Sequence, residues 1–485
     1  MSRLSKSRIM SALQCPKKAW LEVHRRELVK HSPQTLAAFE TGHAVGRIAQ
    51  QLYGGGAGVE IQWAGGSFGP ALARTRDLLR DLLPVPVFEA TLEHQGVLVR
   101  EDILLPVADS WRVVEIKAAT RLKPEYLQDC AIQAWVHLGA GVPLQAMALG
   151  HVDNQWTLGE DGRFEGFLVE QDLTGQVLDL QPSVSTWVEA ARQAVSGGMP
   201  EVAVGSQCSL PNECPFLDFC WPRDSQYPVD RLGGGRKKLG ALVAAAWRDI
   251  RDVPLSELSG TQLRIARVTR SGAAELLPGA GIALRALGHP RYCLDFETVG
   301  PAVPLWPGTR PYQALPFQYS CHIERRPGEL EHVEFLDLSG APPMRVLAER
   351  LIADLGEAGP VLMYTTFEAQ VIRGLLELLP DLAGELSALL ERLVDLHPIV
   401  KDHYYHPDML GSWSIKAVLP TVAPQLDYAK LQGIAEGTAA SAAYLEAIRP
   451  ETDAQTRARI EHELLAYCRH DTMGMVELVR FFERS

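Results

Sequence analysis

A short apolar and polar alternation, Trp111-Arg-Val-Val-Glu-Ile-Lys117, carries an acid and a base two residues apart. A strand sends Glu115 and Lys117 to the same face, and an upstream strand pattern carries Asp102 within hairpin distance of Glu115. Carboxylates bind Mg²⁺ or Mn²⁺ and a lysine can orient a water molecule, so this group fits phosphodiester hydrolysis. A surface hairpin with an exposed Glu-Lys pair is the structural alternative.

The segment after this strand has helical spacing that aligns polar residues on one stripe. Tyr126, Asp129, Gln133 and His137 recur near i, i+3, i+7 and i+11, so they could face the same site. Glu89, in Val87-Phe-Glu-Ala-Thr, is a further candidate carboxylate. We therefore predict Asp102 and Glu115 as metal ligands and Lys117, Gln133 and Glu89 as catalytic residues.

Four of the 8 cysteines form a second group, in two places distant in sequence. Cys15 stands near the N-terminus, and Cys208, Cys214 and Cys220 follow one another with five residues between them. Four thiolates suit either a [4Fe-4S] cluster or a structural zinc ion, and unrelated buried cysteines are the third possibility. The remaining four lie in apolar contexts and are interpreted as small buried side chains: Cys130, Cys293, Cys321 and Cys468.

A second set of carboxylates lies in the C-terminal half. In Arg291-Tyr-Cys-Leu-Asp-Phe-Glu-Thr a strand places Asp295 and Glu297 on one face, and a helical pattern near the end places Tyr467 and Asp471 on one face. Glu368 opens a helical segment between them. Two metal ions about 3.5 to 4 Å apart need about four acidic ligands, and a tyrosine can position water.

Two loops of the same half carry residue types that contact nucleic acids. Trp306, Arg310 and Tyr312 are types on which unpaired bases stack, and Lys416, in Gly411-Ser-Trp-Ser-Ile-Lys, could contact phosphate. A merely structural loop is the alternative for each.

The elements that must position these residues indicate an α/β protein of two domains and a connector. Residues 1–225 mix helix and strand patterns, and residues 290–485 form a second α/β region. Between them, residues 226–289 contain Arg231-Leu-Gly-Gly-Gly and are predicted to be a helical connector. A phosphate-binding loop at the triple glycine is disfavoured, because no buried strand precedes it and no Gly-Lys-Ser/Thr follows.

Composition limits the class of protein. The hydrophobic fraction of 46% and charged fraction of 22% describe a globular chain, and no apolar run long enough for a membrane span or signal peptide occurs. We therefore expect a cytoplasmic protein without a membrane partner, in which clustered cysteines bind metal rather than form disulfides. A net charge of −12 argues against broad coating of nucleic acid, although metal-binding carboxylates contribute to that charge.

The first group resembles the RecB-like branch of the PD-(D/E)XK nucleases, including the CRISPR-associated ones. The match is Asp102, then Glu115-Ile-Lys117, then a helix with Gln133, although His137 stands where the family has tyrosine. The resemblance implies that Asp102 and Glu115 bind metal and that Lys117 is catalytic. A remote cysteine followed by a trio resembles the iron-sulfur members, in which the cluster staples the first helix to the end of the domain.

The second group resembles the DnaQ-like exonucleases of the DEDDy type, which have the RNase H fold. Asp295 with Glu297 matches the first motif and Tyr467 with Asp471 the third, while Glu368 stands where the second motif has aspartate. The combination of the two nuclease types resembles a bacterial domain family of unassigned function.

These resemblances imply a Mg²⁺- or Mn²⁺-dependent exodeoxyribonuclease that processes single-stranded or frayed DNA ends in repair or defence, with a helicase or other partner. Two alternatives remain: an RNA-directed exonuclease, and a nucleic-acid-binding adaptor in which one or both sites are inactive.

Overall fold

The computed structural model describes residues 3–63, 65–80, 85–221, 224–426, 428, 433–434 and 436–484, without the side chain of Arg236. The chain forms two compact units of mixed α/β structure. The first comprises Met1–Trp221 and Pro301–Tyr312, and the second comprises Pro222–Gly300 and Gln313–Ser485. Among the described residues, no helix is both long and apolar enough to cross a membrane.

This division differs from the predicted one in two places. The predicted connector, residues 226–289, belongs to the second compact unit rather than forming a separate piece. Residues 301–312, predicted within the C-terminal domain, belong to the first unit. Sequence could not reveal the second difference, because only contacts between distant residues assign this segment to a core.

The first unit is built on one mixed sheet. Its strands are β1 (Leu4–Ser5), β2 (Val59–Glu60), β3 (Val87–His94), β4 (Val97–Val107), β5 (Ser110–Lys117), β6 (Leu144–Val152) and β7 (Leu168–Asp172). Its helices are α1 (Lys6–Gln14), α2 (Pro16–His24), α3 (Pro33–Gly54), α4 (Gly69–Arg80), α5 (Pro124–Gly139), α6 (Thr174–Asp179), α7 (Gln181–Ser196) and α8 (Leu217–Cys220). The sheet order is β2-β3-β4-β5-β6-β7, with β1 beside β4.

Two local features of this unit position its candidate residues. β4 and β5 form the predicted antiparallel hairpin, and α5 connects β5 to the parallel strand β6, as parallel pairs require a crossover. The junction of α1 and α2 falls at Cys15, whose backbone is extended (φ −164°) and is followed by Pro16 at the first position of α2. Proline there ends one helix and starts the next.

The second unit contains a five-stranded sheet and a separate two-stranded one, seven described strands in all. Its strands are β8 (Glu275–Leu276), β9 (Arg291–Val299), β10 (Leu315–Arg326), β11 (Glu329–Leu336), β12 (Val361–Met363), β13 (Leu393–Asp395) and β14 (Tyr404–Tyr405). Its helices are α9 (Arg236–Ala244), α10 (Gly260–Ser271), α11 (Gly279–Arg285), α12 (Met344–Leu355), α13 (Phe367–Leu378), α14 (Ala383–Glu391), α15 (Leu396–His403), α16 (Ile415–Val422), α17 (Gly437–Ala447) and α18 (Ala454–Glu483). The order is β11-β10-β9-β12-β13, while β8 pairs with β14.

The acidic strand β9 lies at the centre of this sheet. It is antiparallel to β10 and parallel to β12, and the long helix α18 packs on β9 and β10. Asp453 caps α18 by accepting hydrogen bonds from the backbone of Gln455 and Thr456. The side chain of Gln318 on β10 donates to the carbonyl of Leu464 on α18 over 2.8 Å. This bond fixes the position of α18 relative to β10.

Candidate active sites

The hairpin of the first unit brings Asp102 and Glu115 to one place. Ile103 pairs with Val114 across β4 and β5, and Asp102 Oδ2 accepts a hydrogen bond from the backbone N–H of Ile116 over 2.8 Å. Strand alternation turns Glu115 and Lys117 to the face of Asp102 while Val114 and Ile116 pack in an apolar cluster on the other. Glu115 is buried, with about 2% of its surface exposed.

Helix α5 contributes two further side chains to this face. The Lys117 ammonium lies 2.6 Å from Glu115 Oε1 and 2.7 Å from Asp129 Oδ2. Gln133 donates its amide N–H to Glu115 Oε2 over 2.7 Å. Asp129 and Gln133 are four residues apart, and both are buried against the sheet. The predicted stripe of α5 therefore meets the predicted acidic strand.

Lys6 also belongs to this group, and sequence analysis missed it. It opens α1, and its ammonium lies 2.9 Å from Glu115 Oε1 and 2.8 Å from Asp129 Oδ1. Two lysines therefore share the same two carboxylates. A separation of 109 positions between Lys6 and Glu115 leaves no local signal that could predict this contact.

Glu89 lies opposite Asp102 in the β3–β4 ladder and lines the same groove. Phe88 pairs with Ile103 and Ala90 with Glu101 in one unbroken register, and the φ of Glu89, 58°, is unusual for a residue other than glycine. Glu89 forms an ion pair of 2.6 Å with Arg100. Its position in the groove beside Asp102 and Glu115 is compatible with the predicted role of Glu89 as an additional acid.

His137, which stands at the tyrosine position of the nuclease pattern, makes a different contact. Its Nδ1 lies 3.0 Å from Glu101 Oε1, and both side chains are fully buried. This pair lies in the interior, where a buried acid needs a partner. We therefore interpret His137 as structural.

Burial and charge shift the pKa values of this group in opposite directions. Burial, together with the charge of Glu115, raises the pKa of Asp102 to about 8. Burial alone would raise the pKa of Glu115, but the ammonium groups of Lys117 and Lys6 outweigh it and hold that pKa well below its usual range. The same carboxylates raise the pKa of both lysines, so the ammonium forms are favoured despite burial.

The group opens into a groove of about 1190 Å³. That volume exceeds the range of about 300 to 1,000 Å³ usual for small-molecule sites, so a polymer fits better. The groove has acidic, basic and aromatic walls: Asp102, Glu115, Lys117, Glu89, Arg47, Arg100, Lys123, His43, Phe39, Tyr126 and Tyr312. Tyr312 comes from residues 301–312, which were predicted to belong to the C-terminal domain but are part of the first unit.

Trp306 and Arg310, the two other residues of this segment that were predicted to contact unpaired bases, differ in how far they are buried. Trp306 is buried, with about 5% exposed, so its ring is not available to stack on a base and the prediction for this residue is corrected. Arg310 is partly buried within the same segment of the first unit. Packing within the first unit, which the sequence does not reveal, accounts for the burial of Trp306.

The four candidate cysteines line one cavity. Cys15 at the start of α2, Cys208, Cys214 and Cys220 at the end of α8 all face it. Gln14 ties the end of α1 to this region by donating to the carbonyls of Gln207 and Asn212 over 2.8 and 2.7 Å. The N–H of Gly205 points at Cys208 Sγ over 3.5 Å. The thiols distant in sequence are therefore neighbours.

The surroundings of these thiols can compensate negative charge. Burial raises the pKa of Cys214 to about 11, and Lys18 opposes that shift. Burial also raises the pKa of Cys220, while Lys17 lowers it through its charge and a hydrogen bond. Two lysines beside four thiols would offset the charge of thiolates bound to a metal centre.

In the second unit, four carboxylates from three elements gather at the middle of the sheet. Asp295 and Glu297 lie on β9, Glu368 is the second residue of α13, and Asp471 lies on α18. Glu297, Glu368 and Asp471 are buried, and Asp295 is partly buried. Asp295 and Glu368 are close enough to share a hydrogen bond. The substitution of glutamate for aspartate in the middle motif thus still brings a carboxylate to the group.

The charge of Lys416 lowers the pKa values of Asp295, Glu297 and Asp471, but burial and mutual repulsion outweigh it. Burial, followed by the negative charge of Asp471, raises the pKa of Asp295 well above its usual range, and burial with Asp295 does the same to the pKa values of Glu297 and Glu368. Burial raises the pKa of Asp471 to about 6. Within the part of the chain that the structure describes, Glu368 Oε2 is buried without a hydrogen-bond partner. A bound cation would relieve both penalties.

The donor atoms of Asp295, Glu297 and Cys468 all lie within 4.8 Å of one another, as metal ligands do. Cys468 was interpreted as a small buried side chain, and it is buried, but its thiol also lies 3.4 Å from Asp295 Oδ2. Carboxylates prefer Mg²⁺ or Mn²⁺, whereas a thiol prefers softer ions. The thiol's pKa is raised by burial and by Asp295, which favours the neutral form, so the carboxylates are the expected ligands.

Aromatic and basic side chains surround these carboxylates. Tyr428, another residue that sequence analysis missed, donates a hydrogen bond to Asp471 Oδ1. The Lys416 ammonium lies 5.1 Å from the ring centroid of Tyr467 and 5.4 Å from that of Tyr428. Lys416 thus lies beside the site, near the predicted Tyr467. By contrast Asp395 caps α15 by accepting from His397 N over 2.8 Å, which indicates a structural role.

A family model described as a domain of unknown function (DUF2779) matches residues 292–414. This range includes Asp295, Glu297 and Glu368, and ends before Tyr467 and Asp471. No curated protein is similar enough to the chain to count as a match.

Proposed function

We propose that this protein is a metal-dependent nuclease with two separate active sites, one in each unit. The observation that carries the proposal is the set of buried carboxylates in the second unit: Asp295, Glu297, Glu368 and Asp471. Clustered buried acids are costly unless a cation or proton neutralises them, and natural chains keep such clusters where they serve a function. The mixed sheet with β9 at its centre is compatible with the RNase H-like fold of the DEDDy exonucleases.

In the second site, the chain's own groups have separable roles. The four carboxylates would hold Mg²⁺ or Mn²⁺, which when bound polarises a phosphate and lowers the pKa of water. Tyr467, beside Asp471, is placed to orient the attacking water, and Tyr428 holds Asp471 in position. Lys416 offers a positive charge to a phosphate of the substrate.

In the first site, Asp102 and Glu115 would hold the metal, with Glu89 as an additional acid. Lys117 is expected to orient the attacking water, and Gln133 fixes Glu115 through a hydrogen bond of 2.7 Å. This arrangement supports the proposed PD-(D/E)XK chemistry. The proposed substrate is DNA with single-stranded or frayed ends, processed in repair or defence.

We also propose that Cys15, Cys208, Cys214 and Cys220 hold a [4Fe-4S] cluster. The four cysteines line one cavity, so all four thiolates could bind one metal centre. The layout of one remote cysteine and a later trio resembles the iron-sulfur members of the RecB-like nucleases, and this supports the cluster over zinc. Its proposed role is structural, because Cys15 begins α2 while the other three belong to the end of the unit.

The cofactor proposal predicts a brown protein that contains iron and sulfide. Elemental analysis and the visible absorption spectrum distinguish it from a colourless zinc protein. Cys15→Ser and Cys220→Ser are expected to lose the colour, while Cys293→Ser, which alters a buried cysteine of the second unit, should retain it. A purified protein that contains zinc but no iron would refute the cluster.

A binding adaptor with an inactive first site is the second candidate, favoured by one observation. Both oxygens of Glu115 are already engaged, Oε1 by Lys6 and Lys117 and Oε2 by Gln133. A side chain so fully paired is a poor metal ligand unless one partner moves. RNA as the substrate of the second site is a further outcome of the same test.

The test uses end-labelled single-stranded DNA, duplex DNA and RNA with purified protein in Mg²⁺, Mn²⁺ or EDTA. We expect cleavage that EDTA abolishes, with Lys117→Ala removing the first-site activity and Asp295→Ala removing the second. Lys237→Ala and Glu385→Ala, at exposed positions, are the matched controls. Absence of cleavage of all three substrates, with binding intact, would favour the adaptor.

A further inference from the structure

The segment of residues 301–312, here called the strap, lies between β9 and β10 in sequence but belongs to the first unit. Two backbone bonds attach it: Leu158 N donates to the carbonyl of Thr309 over 3.0 Å, and Gly308 N donates to the carbonyl of Leu158 over 2.8 Å. Ala302 is buried in an apolar cluster with Val45 of α3 and Val152 of β6. The strap is therefore an integral part of the first unit.

Tyr312, at the end of the strap, is held in an uncommon conformation. Its φ of 60° is unfavourable for a bulky residue, and such geometry persists only where the surroundings impose it. Its N–H donates to the carbonyl of Pro301 over 3.0 Å, closing the strap. Its hydroxyl donates to the carbonyl of Ala118, the residue after Lys117. The ring is thus fixed at both ends directly beside the first site.

The ring of Tyr312 nevertheless remains accessible. About 39% of the residue is exposed, and it lines the same groove as Asp102, Glu115 and Lys117. A tyrosine that merely fastened the strap would gain by burying its ring. An exposed ring in a strained backbone is better explained by contact with a ligand.

The other walls of the groove suit a single nucleic acid strand. Phe39 on α3 is about 51% exposed, and the ring of Tyr126 lies 5.6 Å from the ammonium groups of both Lys117 and Lys123. Aromatic faces beside cations are the means by which proteins bind unpaired bases and their phosphates. Base pairing hides those faces, so the same wall would discriminate against intact duplex.

We propose that Tyr312 is the base-stacking residue of the first site, which binds one unpaired nucleobase next to the phosphodiester held at Asp102 and Glu115. This inference rests on the proposed nuclease function of the first unit and specifies its substrate as a single strand or frayed end. In sequence, Tyr312 follows shortly after Glu297, which belongs to the second site. In the structure, its ring instead lines the groove of the first site.

The experiment measures binding without turnover. In an Asp295→Ala background with Ca²⁺ as the divalent ion, a single-stranded oligonucleotide containing 2-aminopurine is titrated with protein and its fluorescence followed. We expect Tyr312→Ala to weaken binding about tenfold and to reduce quenching of the base, because the stacking ring is lost. Tyr312→Phe, which keeps the ring, should bind within about threefold of the parent. Leu305→Ala, which alters an exposed strap residue outside the groove, is the matched control.

Two results would overturn the inference. One is unchanged binding and quenching by Tyr312→Ala, and the other is equal weakening by Tyr312→Phe and Tyr312→Ala, which would assign the effect to the hydroxyl that fastens the strap. Thermal melting of each variant separates loss of binding from loss of folding. Failure of the nuclease proposal gives a different pattern, namely no Lys117-dependent cleavage with Tyr312-dependent binding retained.

Discussion

At the scale of residues, the two sites balance their charges in opposite ways. In the first, two ammonium groups contact Glu115 and Asp129, so the acids are paired without a metal ion. In the second, burial and mutual repulsion raise the pKa values of the carboxylates. The first site should therefore destabilise the protein less when no metal ion is bound. Adding metal ions should stabilise the second site more than the first.

Lys6 provides a test of the first arrangement. We expect Lys6→Met to lower first-site turnover about tenfold in an Asp295→Ala background, because Lys117 alone would then neutralise both carboxylates and be less available to water. Lys6→Arg, which retains the charge, should restore part of the activity, and Lys237→Met should have no effect. Steady-state cleavage of single-stranded DNA across a range of pH measures it. If Lys6→Met kept wild-type turnover, Lys6 would only balance the charge of the carboxylates and would have no effect on catalysis.

Glu368 provides the corresponding test of the second site. Glu368→Gln removes one of the mutually repelling acids with little change of shape, so we expect a higher melting temperature in EDTA and a smaller stabilisation by Mn²⁺. Thermal unfolding with EDTA and with MnCl₂ compares the two states. Glu385→Gln, at an exposed position of α14, is the control. A lower melting temperature of Glu368→Gln in EDTA would contradict the predicted repulsion.

His322 gives the second unit a predicted pH dependence. Burial, followed by the charges of His332, Arg469 and Arg480, lowers its pKa from 6.5 to about 4. The unfolded chain therefore binds a proton that the folded chain does not, and this contribution to stability is lost as the pH falls from about 6.5 to about 4. Above pH 6.5 both states are neutral and the contribution is constant.

His322→Gln should flatten this part of the stability profile, since glutamine can still bond to Thr472, which lies 2.8 Å from His322 Nδ1. Urea unfolding between pH 4 and 8 measures the effect, with the exposed His462→Gln as control. An equally steep loss of stability in His322→Gln would assign it to other groups.

At the scale of elements, local periodicity and long-range packing contributed differently. Strand alternation paired Glu115 with Lys117 and Asp295 with Glu297, and helical spacing paired Tyr467 with Asp471. These pairs follow from fixed backbone geometry. The contact of Lys6 in α1 with Glu115 in β5, and the attachment of the strap to the first unit, instead depend on residues far apart in sequence.

Arg291 connects three elements of the second unit and can be tested as such. Arg291 is buried at the start of β9 and forms an ion pair with Glu483 of α18 over 2.6 Å. Its guanidinium also donates hydrogen bonds to the carbonyls of Leu284 and Leu287 over 3.2 and 2.8 Å. We expect Arg291→Ala to reduce stability by about 3 kcal/mol, because several buried acceptors lose their donor. Urea unfolding measures it, and Arg325→Ala, which breaks an exposed ion pair with Glu331, should change little. Equal stability of both variants would contradict this role.

At the scale of the whole molecule, the net charge limits where nucleic acid can bind. The chain carries a net charge of −12, and the walls of the first groove combine acidic with basic side chains: Glu60, Glu89, Asp102, Glu115, Arg47, Arg100, Lys117 and Lys123. An acidic protein repels DNA outside its sites, so binding should be confined to such places. Divalent cations at the carboxylates would strengthen that local attraction.

This distribution predicts a weak salt dependence for single-stranded DNA. Four cationic contacts give a slope of log K against log salt of about −3, and Ca²⁺ should strengthen binding relative to EDTA. Fluorescence anisotropy with a labelled oligonucleotide over a salt series measures both. A slope steeper than about −6 would mean that DNA contacts additional basic surface outside the groove.

Most of the candidate residues could be selected from sequence because their spacing matches fixed backbone periods. Asp102, Glu115, Lys117 and Gln133 come together, as do Asp295, Glu297, Glu368 and Asp471, and the four cysteines line one cavity. Lys6 and Tyr428 escaped notice because their partners lie far away in the chain and neither residue stands in a recognisable pattern. Trp306 was misjudged because burial depends on tertiary packing.

By itself, the sequence determined which acids and lysines share a strand face or a helix turn, since those relations arise from repeats of two residues and of about 3.6. Only the tertiary structure decided which faces meet, how far each carboxylate is buried, and to which unit the strap belongs. Those outcomes depend on free energies of burial and pairing between residues distant in the chain, which no local pattern encodes.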